Sequence, residues 1–187
     1  MADRFSELSQ MAMQELQSVF SKMNDASVRE LLECIKKTDR IFLLAGGREG
    51  LATKSFAMRL VHLGKQAFWI WDDTTPSILP GDLMICACGS ANVGHENYIT
   101  QKAKEAGATL ALLTPSNNGF IRDIADIIVN VPAAAFNAVG DFVPSQQLMG
   151  NLFEQTLFVL YDILVMLLRE EMGIAIPEMV ARHRNVE

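Results

Sequence analysis

Apolar and polar positions along this chain fall into two different periods. Phe5, Leu8, Met11, Leu16, Val19 and Phe20 recur at helical spacing, which predicts an amphipathic first helix. The turn Asn24-Asp25-Ala26-Ser27 can cap a second helix through Leu31, Leu32 and Ile35 to Lys37. Then the pattern changes. Ile41-Phe42-Leu43-Leu44 is a short, continuous apolar run that breaks at Ala45-Gly46-Gly47-Arg48-Glu49-Gly50, and it reads as a buried strand. A helical face follows through Leu51, Phe56, Met58, Leu60, Val61 and Leu63, with Gly64 as its C-terminal cap. Strand-like runs return at residues 67–70, 83–87, 109–113 and 127–131, with helical segments at 94–106 and 120–124 between them. A long loop at 133–145, a long apolar helix at 147–172 and a short tail from 177 close the chain.

Strands alternating with helices predict an α/β fold with right-handed crossovers, a three-layer αβα sandwich around a five-stranded parallel sheet. The expected strand order is 2-1-3-4-5, the flavodoxin-like arrangement. The 187 residues suit one domain, with N-terminal helices at 1–37, a sheet core at 38–131 and a C-terminal helix and tail at 146–187. The first two helices are not needed to complete a βαβ unit, so they either cover the domain's own core or form an oligomer interface.

Two strands end in small-residue turns that open helices, at Gly46-Gly47 and at Gly89-Ser90. In the expected order these strands are neighbours at the switch point, where ligands bind in open parallel sheets. Glycine lets backbone N–H groups approach an anion, and a helix N-terminus adds partial positive charge, so the crevice suits a phosphate. The alternative is a pair of tight turns with no ligand. Neither turn carries G-x-x-x-x-G-K-[ST] or G-x-G-x-x-G, which leaves a flavin or dinucleotide carrier without its fingerprint.

Composition narrows the partners. Half of the chain is hydrophobic, and a net charge of −6 with no Lys/Arg cluster argues against nucleic acid. The first fifteen residues are polar and amphipathic rather than a signal peptide, and the apolar stretch 157–168 is short for a membrane span and interrupted by Asp162. Three cysteines cannot all pair, so they are expected to be reduced and the protein cytoplasmic, with no membrane partner. Cys86 and Cys88 share a strand face, but no C-x-x-C or H-x-x-x-H pattern completes a metal site, and none is expected.

Four stretches resemble the sugar isomerase (SIS) domain proteins, most closely the 6-phospho-3-hexuloisomerases. They are Gly47-Arg48 and Gly50 followed by Phe56-Ala57-Met58-Arg59-Leu60 and His62-Leu63-Gly64; Thr74-Thr75-Pro76 with Gly81-Asp82; Gln147 through Gln155, with Leu152-Phe153-Glu154-Gln155; and Arg182-His183 with Asn185 and Glu187. The resemblance spans nearly the whole chain. It implies the SIS fold, dimers or tetramers with active sites between subunits, and interconversion of 3-hexulose 6-phosphate and fructose 6-phosphate without metal or organic cofactor. Three positions depart from the family pattern. Glu49 stands where the family's G-x-G-R-S-G has a phosphate-holding serine. Cys88-Gly89-Ser90-Ala91-Asn92-Val93 replaces S-G-S-G-E-T, and Leu148 replaces a proline.

The resemblance implies that Glu154 is the base, which moves a proton between adjacent carbons through an enediol, a task suited to a carboxylate of raised pKa. The bland reading is a first-turn helix-dipole partner. His183 is implied as a proton shuttle or ring opener, in its own or a neighbour's site, against a solvated tail histidine. Arg48 and Arg59 can hold substrate oxygens, or pair with Glu49 and with a neighbouring subunit. Gly47, Glu49, Gly89, Ser90, Asn92 and Thr75 complete the expected substrate contacts. Ser90 is a phosphate hydroxyl or a helix cap, and Thr75 a turn residue. His62 reads as packing and His95 as an exposed residue bordering the crevice. Beside the isomerase stands another class of function, a non-catalytic SIS domain that senses a sugar or sugar phosphate.

Overall fold

The computed structural model describes residues 2–186, so Glu187 lies outside the described residues. β1 (Arg40–Ala45), β2 (Gln66–Trp69), β3 (Leu83–Ala87), β4 (Thr109–Thr114) and β5 (Ile127–Asn130) form one parallel sheet in the order β2-β1-β3-β4-β5. β1 is an inner strand between β2 and β3, with Leu43 opposite Trp69 on one side and Ile85 on the other. The helices are α1 (Ala2–Lys22), α2 (Asp25–Lys37), α3 (Gly47–His62), α4 (Gly94–Glu105), α5 (Phe120–Ile124), α6 (Asn151–Glu171) and α7 (Ile176–Ala181). The expected three-layer architecture and strand order are both present.

Both faces of the sheet are covered, which explains why its strands read as continuous apolar runs rather than alternating ones. Ile41, Leu43 and Ala45 pack with Leu31 and Ile35 of α2, Phe56 and Leu60 of α3, and Leu157 and Leu164 of α6. Phe42 and Leu44 face the other way, towards Ala103 of α4 and Ile121 of α5. α3 and α6 are locked together where Phe56 stacks on Tyr161, ring centroids 4.5 Å apart. The Tyr161 hydroxyl is buried 3.1 Å from Thr53 Oγ1, so the polar end of this pair is satisfied.

Several boundaries differ from expectation. α6 starts at Asn151 rather than 147, because Met149 and Gly150 both take positive φ and turn the chain before the helix. A Cβ on Gly150 would lie 2.8 Å from the Phe136 amide nitrogen, so glycine is required there twice over. The tail contains a helix, α7, opened by Pro177 in its first turn and by Glu178 Oε1, which accepts the Ala175 N–H at 3.0 Å. α6 has 21 residues and is long and apolar enough to cross a membrane by length and composition, beyond the stretch 157–168 judged too short. Its packing is that of a core helix, with Leu152, Phe153, Leu160 and Leu168 buried.

α1 covers the core only at its C-terminal end, where Val19 is buried, while Phe5 and Met13 stay 76% and 66% exposed. Glu15 of α1 ties down the chain that leads into α6. Its carboxylate accepts hydrogen bonds from Ser145 Oγ at 2.6 Å, the Gln146 amide at 2.8 Å and Gln147 Nε2 at 3.0 Å. Burial pushes its pKa up, but these three donors outweigh it and hold the carboxyl below its usual value.

Candidate active site

The site grows from the carboxyl ends of β1 and β3. At the first turn Gly46 is the N-cap of α3, and Gly47 enters the helix with φ +52°, a conformation that favours glycine. Gly50 lets the helix approach closely, since a Cβ there would lie 3.1 Å from the Ala45 carbonyl and 3.3 Å from the Trp69 ring. This close seat aims the first turn of α3 across the sheet towards β3.

Arg48 reaches away from the crevice. Its Nε lies 2.5 Å from Glu154 Oε2 in the first turn of α6, not on Glu49 as the bland reading had it. The Arg48 side chain is 64% exposed and the Glu154 side chain only 14% exposed, so a nearly buried carboxylate is presented beside a solvated cation. The pair stands at one end of an open groove of about 380 Å³, walled by Leu16, Leu51, Phe158 and Val159.

Glu49 does the reverse and turns inward. Its Oε2 accepts the Gly89 amide at 3.2 Å, so the carboxyl lies on the second glycine turn. Burial drives its pKa up to about 8, helped by the charges of Glu96 and Glu154 and opposed by the Gly89 hydrogen bond. Glu96 of α4 is buried at the same crevice, with its Oε1 at Gly46, where a Cβ would meet it at 2.9 Å. Burial raises its pKa, against the opposing effects of the Cys88 thiol, His95 and the Gly46 amide. The first-turn carboxyl of each helix therefore reaches the glycine turn of the other strand. Trp71 Nε1 donates to the Ala45 carbonyl at 3.2 Å, and its ring meets His95 edge-on, closing one rim.

The remaining second-turn residues are tied to one another. Ser90 Oγ accepts the Asn92 amide at 3.3 Å, and Asn92 Oδ1 accepts from Asn97 Nδ2 at 2.8 Å. Ser90 is not the cap of α4, because Val93 holds that position. Thus Gly47, Glu49, Gly89, Ser90 and Asn92 gather at the switch point, with the Arg48–Glu154 pair beside it. Three expected site residues do not join them. Thr75 Oγ1 is bonded to the Trp69 carbonyl at 2.7 Å inside its own loop. Arg59 and His183 lie at the far end of α3, with Arg59 Nη1 3.4 Å from His62 Nδ1 and the His183 ring 5.2 Å from that of His62. At 1.5 Å per residue, the helix separates His62 from Arg48 by about 20 Å. Arg182 fastens this tail to the fold by donating to the His62 carbonyl at 3.1 Å.

Glu96 was not among the expected site residues. A glutamate in the first turn of a helix reads as a solvated dipole partner, and only the packing of α4 against β3 and β4 shows that it is buried. Among the described residues no group of three His, Cys, Asp or Glu side chains is arranged to hold a metal ion.

No protein-family model matches the chain. Comparison with individual proteins does find relatives. The 3-hexulose-6-phosphate isomerase of Bacillus subtilis is 33% identical over 173 residues, covering 92% of this chain and 94% of the relative. That of Mycobacterium gastri is 34% identical, covering 92% and 86%. A crystal structure of a Methanococcus jannaschii protein, from which a 3-hexulose-6-phosphate isomerase function was inferred, superposes with a TM-score of 0.82 over 97% of this chain and 99% of that one, at 23% identity.

Proposed function

The chain belongs to the 3-hexulose-6-phosphate isomerase family, and from that premise we propose that it is a sugar-phosphate isomerase, interconverting 3-hexulose 6-phosphate and fructose 6-phosphate through an enediol. The observation that carries this reading is the Arg48–Glu154 pair at 2.5 Å beside the crevice of the two glycine turns. Glu154 is the base that removes a proton from one carbon and returns it to the next. Its side chain is mostly withdrawn from solvent, which strengthens its interaction with substrate. Arg48, exposed to solvent, exchanges its carboxylate partner for the enediolate oxygen as negative charge develops there.

The reading includes an oligomer, a dimer or tetramer with the active site between subunits. The groove beside Arg48 and Glu154 has apolar walls, and Leu51 and Phe158 are 69% and 48% exposed. A neighbouring chain would cover them. It would also bring a second His183 towards a Glu154 that its own His183 does not reach. A cytoplasmic setting, and a reaction needing neither metal nor organic cofactor, complete the proposal.

The test is Glu154→Gln. Glutamine keeps the shape but cannot accept the proton, so turnover of fructose 6-phosphate should fall by at least about 10³-fold. Thermal stabilisation by the same ligand should persist, because binding to the native state is retained. Unchanged isomerisation in the variant would remove Glu154 as the base.

A further inference from the structure

We propose that Glu49 is a built-in competitor for the substrate's phosphate: its carboxyl occupies the second-turn anion seat, and a phosphosugar binds by displacing it. This inference rests on the isomerase reading and adds to it a specificity-determining residue.

The seat is recognisable from its donors and from what they already hold. A phosphate at the N-terminus of α4 needs the amides of the second turn. Gly89 gives its amide to Glu49 Oε2, Ala91 to the Cys88 carbonyl and Asn92 to Ser90 Oγ. A Cβ on Gly89 would meet Glu49 Oε1 at 2.9 Å and the Ala135 methyl at 2.8 Å, so carboxyl and turn are in close contact. A second observation points to a ligand in the crevice. Glu96 is 2% exposed, and apart from the neighbouring Cys88 thiol its Oε2 has no hydrogen-bond partner among the described residues. A buried carboxyl oxygen without a full set of donors is costly, and a sugar hydroxyl entering between the turns would satisfy it. The crevice is therefore built to accept hydroxyl donors at Glu96, while its phosphate donor at Gly89 is held in reserve by Glu49.

Displacement depends on protonation. Neutral Glu49 leaves the Gly89 amide cheaply, and a carboxylate beside a dianion does not. Its carboxyl, pushed up to about 8, is mostly neutral at pH 7 and ionised at pH 9. The groups around it are Glu96 from α4, Glu154 and Tyr161 from α6, and Cys86 and Cys88 at β3, with Arg48 drawn off to Glu154 and His95 beyond Glu96. Burial raises the Cys86, Cys88 and Tyr161 pKa values above their usual range, so these groups stay neutral across this interval. The second ionisation of a sugar phosphate lies near 6 and is about nine-tenths complete by pH 7, so the ligand's charge changes little over this interval.

The experiment is calorimetric titration of the full chain with fructose 6-phosphate from pH 7 to pH 9, for the parent, Glu49→Ser and Glu49→Gln. The parent's affinity should fall about tenfold as pH rises through 8. Both variants should be flat, and Glu49→Ser should bind at least about tenfold more tightly than the parent at pH 9. Flat variants also exclude Glu96 as the source of the slope. If Glu49→Ser folds poorly, Glu49→Gln carries the test, because it keeps the shape and cannot ionise. A parent that isomerises fructose 6-phosphate with pH-independent affinity, and is not improved by either change, overturns the competitor and leaves the isomerase standing. Failure of all three proteins to bind fructose 6-phosphate overturns both.

Discussion

Arg48 and Glu49 are chain neighbours whose side chains leave in opposite directions, one to Glu154 on α6 and the other to Gly89 after β3. Their different surroundings set different energetic roles. The Arg48 guanidinium is mostly in water, and ion pairs of that kind contribute about 0–1 kcal/mol to stability. Its effect lies in aiming Glu154, and misplacing a catalytic group by an ångström can cost on the order of 10² in rate. Arg48→Ala should therefore melt within a few degrees of the parent while kcat for fructose 6-phosphate falls about 10²-fold. A large loss of melting temperature with little loss of rate would make the pair structural instead. At this scale the sequence was only partly readable. Glu154 stood out through its resemblance, and Glu49 through its departure from it. Which carboxylate Arg48 would choose depends on where α6 docks, 106 residues away, and no local pattern encodes that.

Among the elements, strands were the easiest to anticipate, because burial on both faces leaves a continuous apolar run between polar turns. β3 begins and ends where the run does, at Leu83 and Ala87. Helix starts were harder. The segment 147–150 has helical composition, yet positive φ at Met149 and Gly150 delays α6 to Asn151. The tail helix α7 carried a legible start signal in Pro177 and Glu178 that its polar surroundings obscured. The delayed start of α6 gives weight to the Glu15 latch, which grips Ser145, Gln146 and Gln147 immediately upstream. Gln147 in turn accepts from Gln155 near the start of α6, at 2.8 Å, next to Glu154. Because folding lowers the Glu15 pKa, its contribution is present above its ordinary value of 4.5 and is lost as pH falls through the folded value. Glu15→Gln should remove that acid-side dependence, cost roughly 1–2 kcal/mol at pH 7 and speed amide hydrogen exchange of residues 145–150. Unchanged exchange there would mean the loop is held by other contacts.

At the scale of the whole molecule, α1, α3 and α6 leave apolar residues open, among them Phe5, Leu51, Met58, Phe158 and Met166, and Leu51 joins grooves lined by Phe158 and Val159 on one side and by Met58 and Val61 on the other. Apolar grooves of this kind mark association sites. Light scattering at micromolar concentration should show a dimer or tetramer, and a monomer would remove the shared active site and the route by which His183 could act. The sheet order and its crevice were legible because five apolar runs and two glycine turns specify them. The assembly was legible only as surplus hydrophobicity, since a sequence does not say which of its apolar faces meets another chain. The separation between Arg48 and its partner also has a consequence during synthesis. At about 5–20 residues per second, an emerging Arg48 waits roughly 5–20 s for Glu154 to leave the ribosome. For the same interval Phe56 has no Tyr161 to stack on, and the inner face of α3 stays uncovered. Fragments ending before α6 should thus hold a paired sheet with one bare side, and their fate in the cell is aggregation or capture by chaperones rather than partial activity.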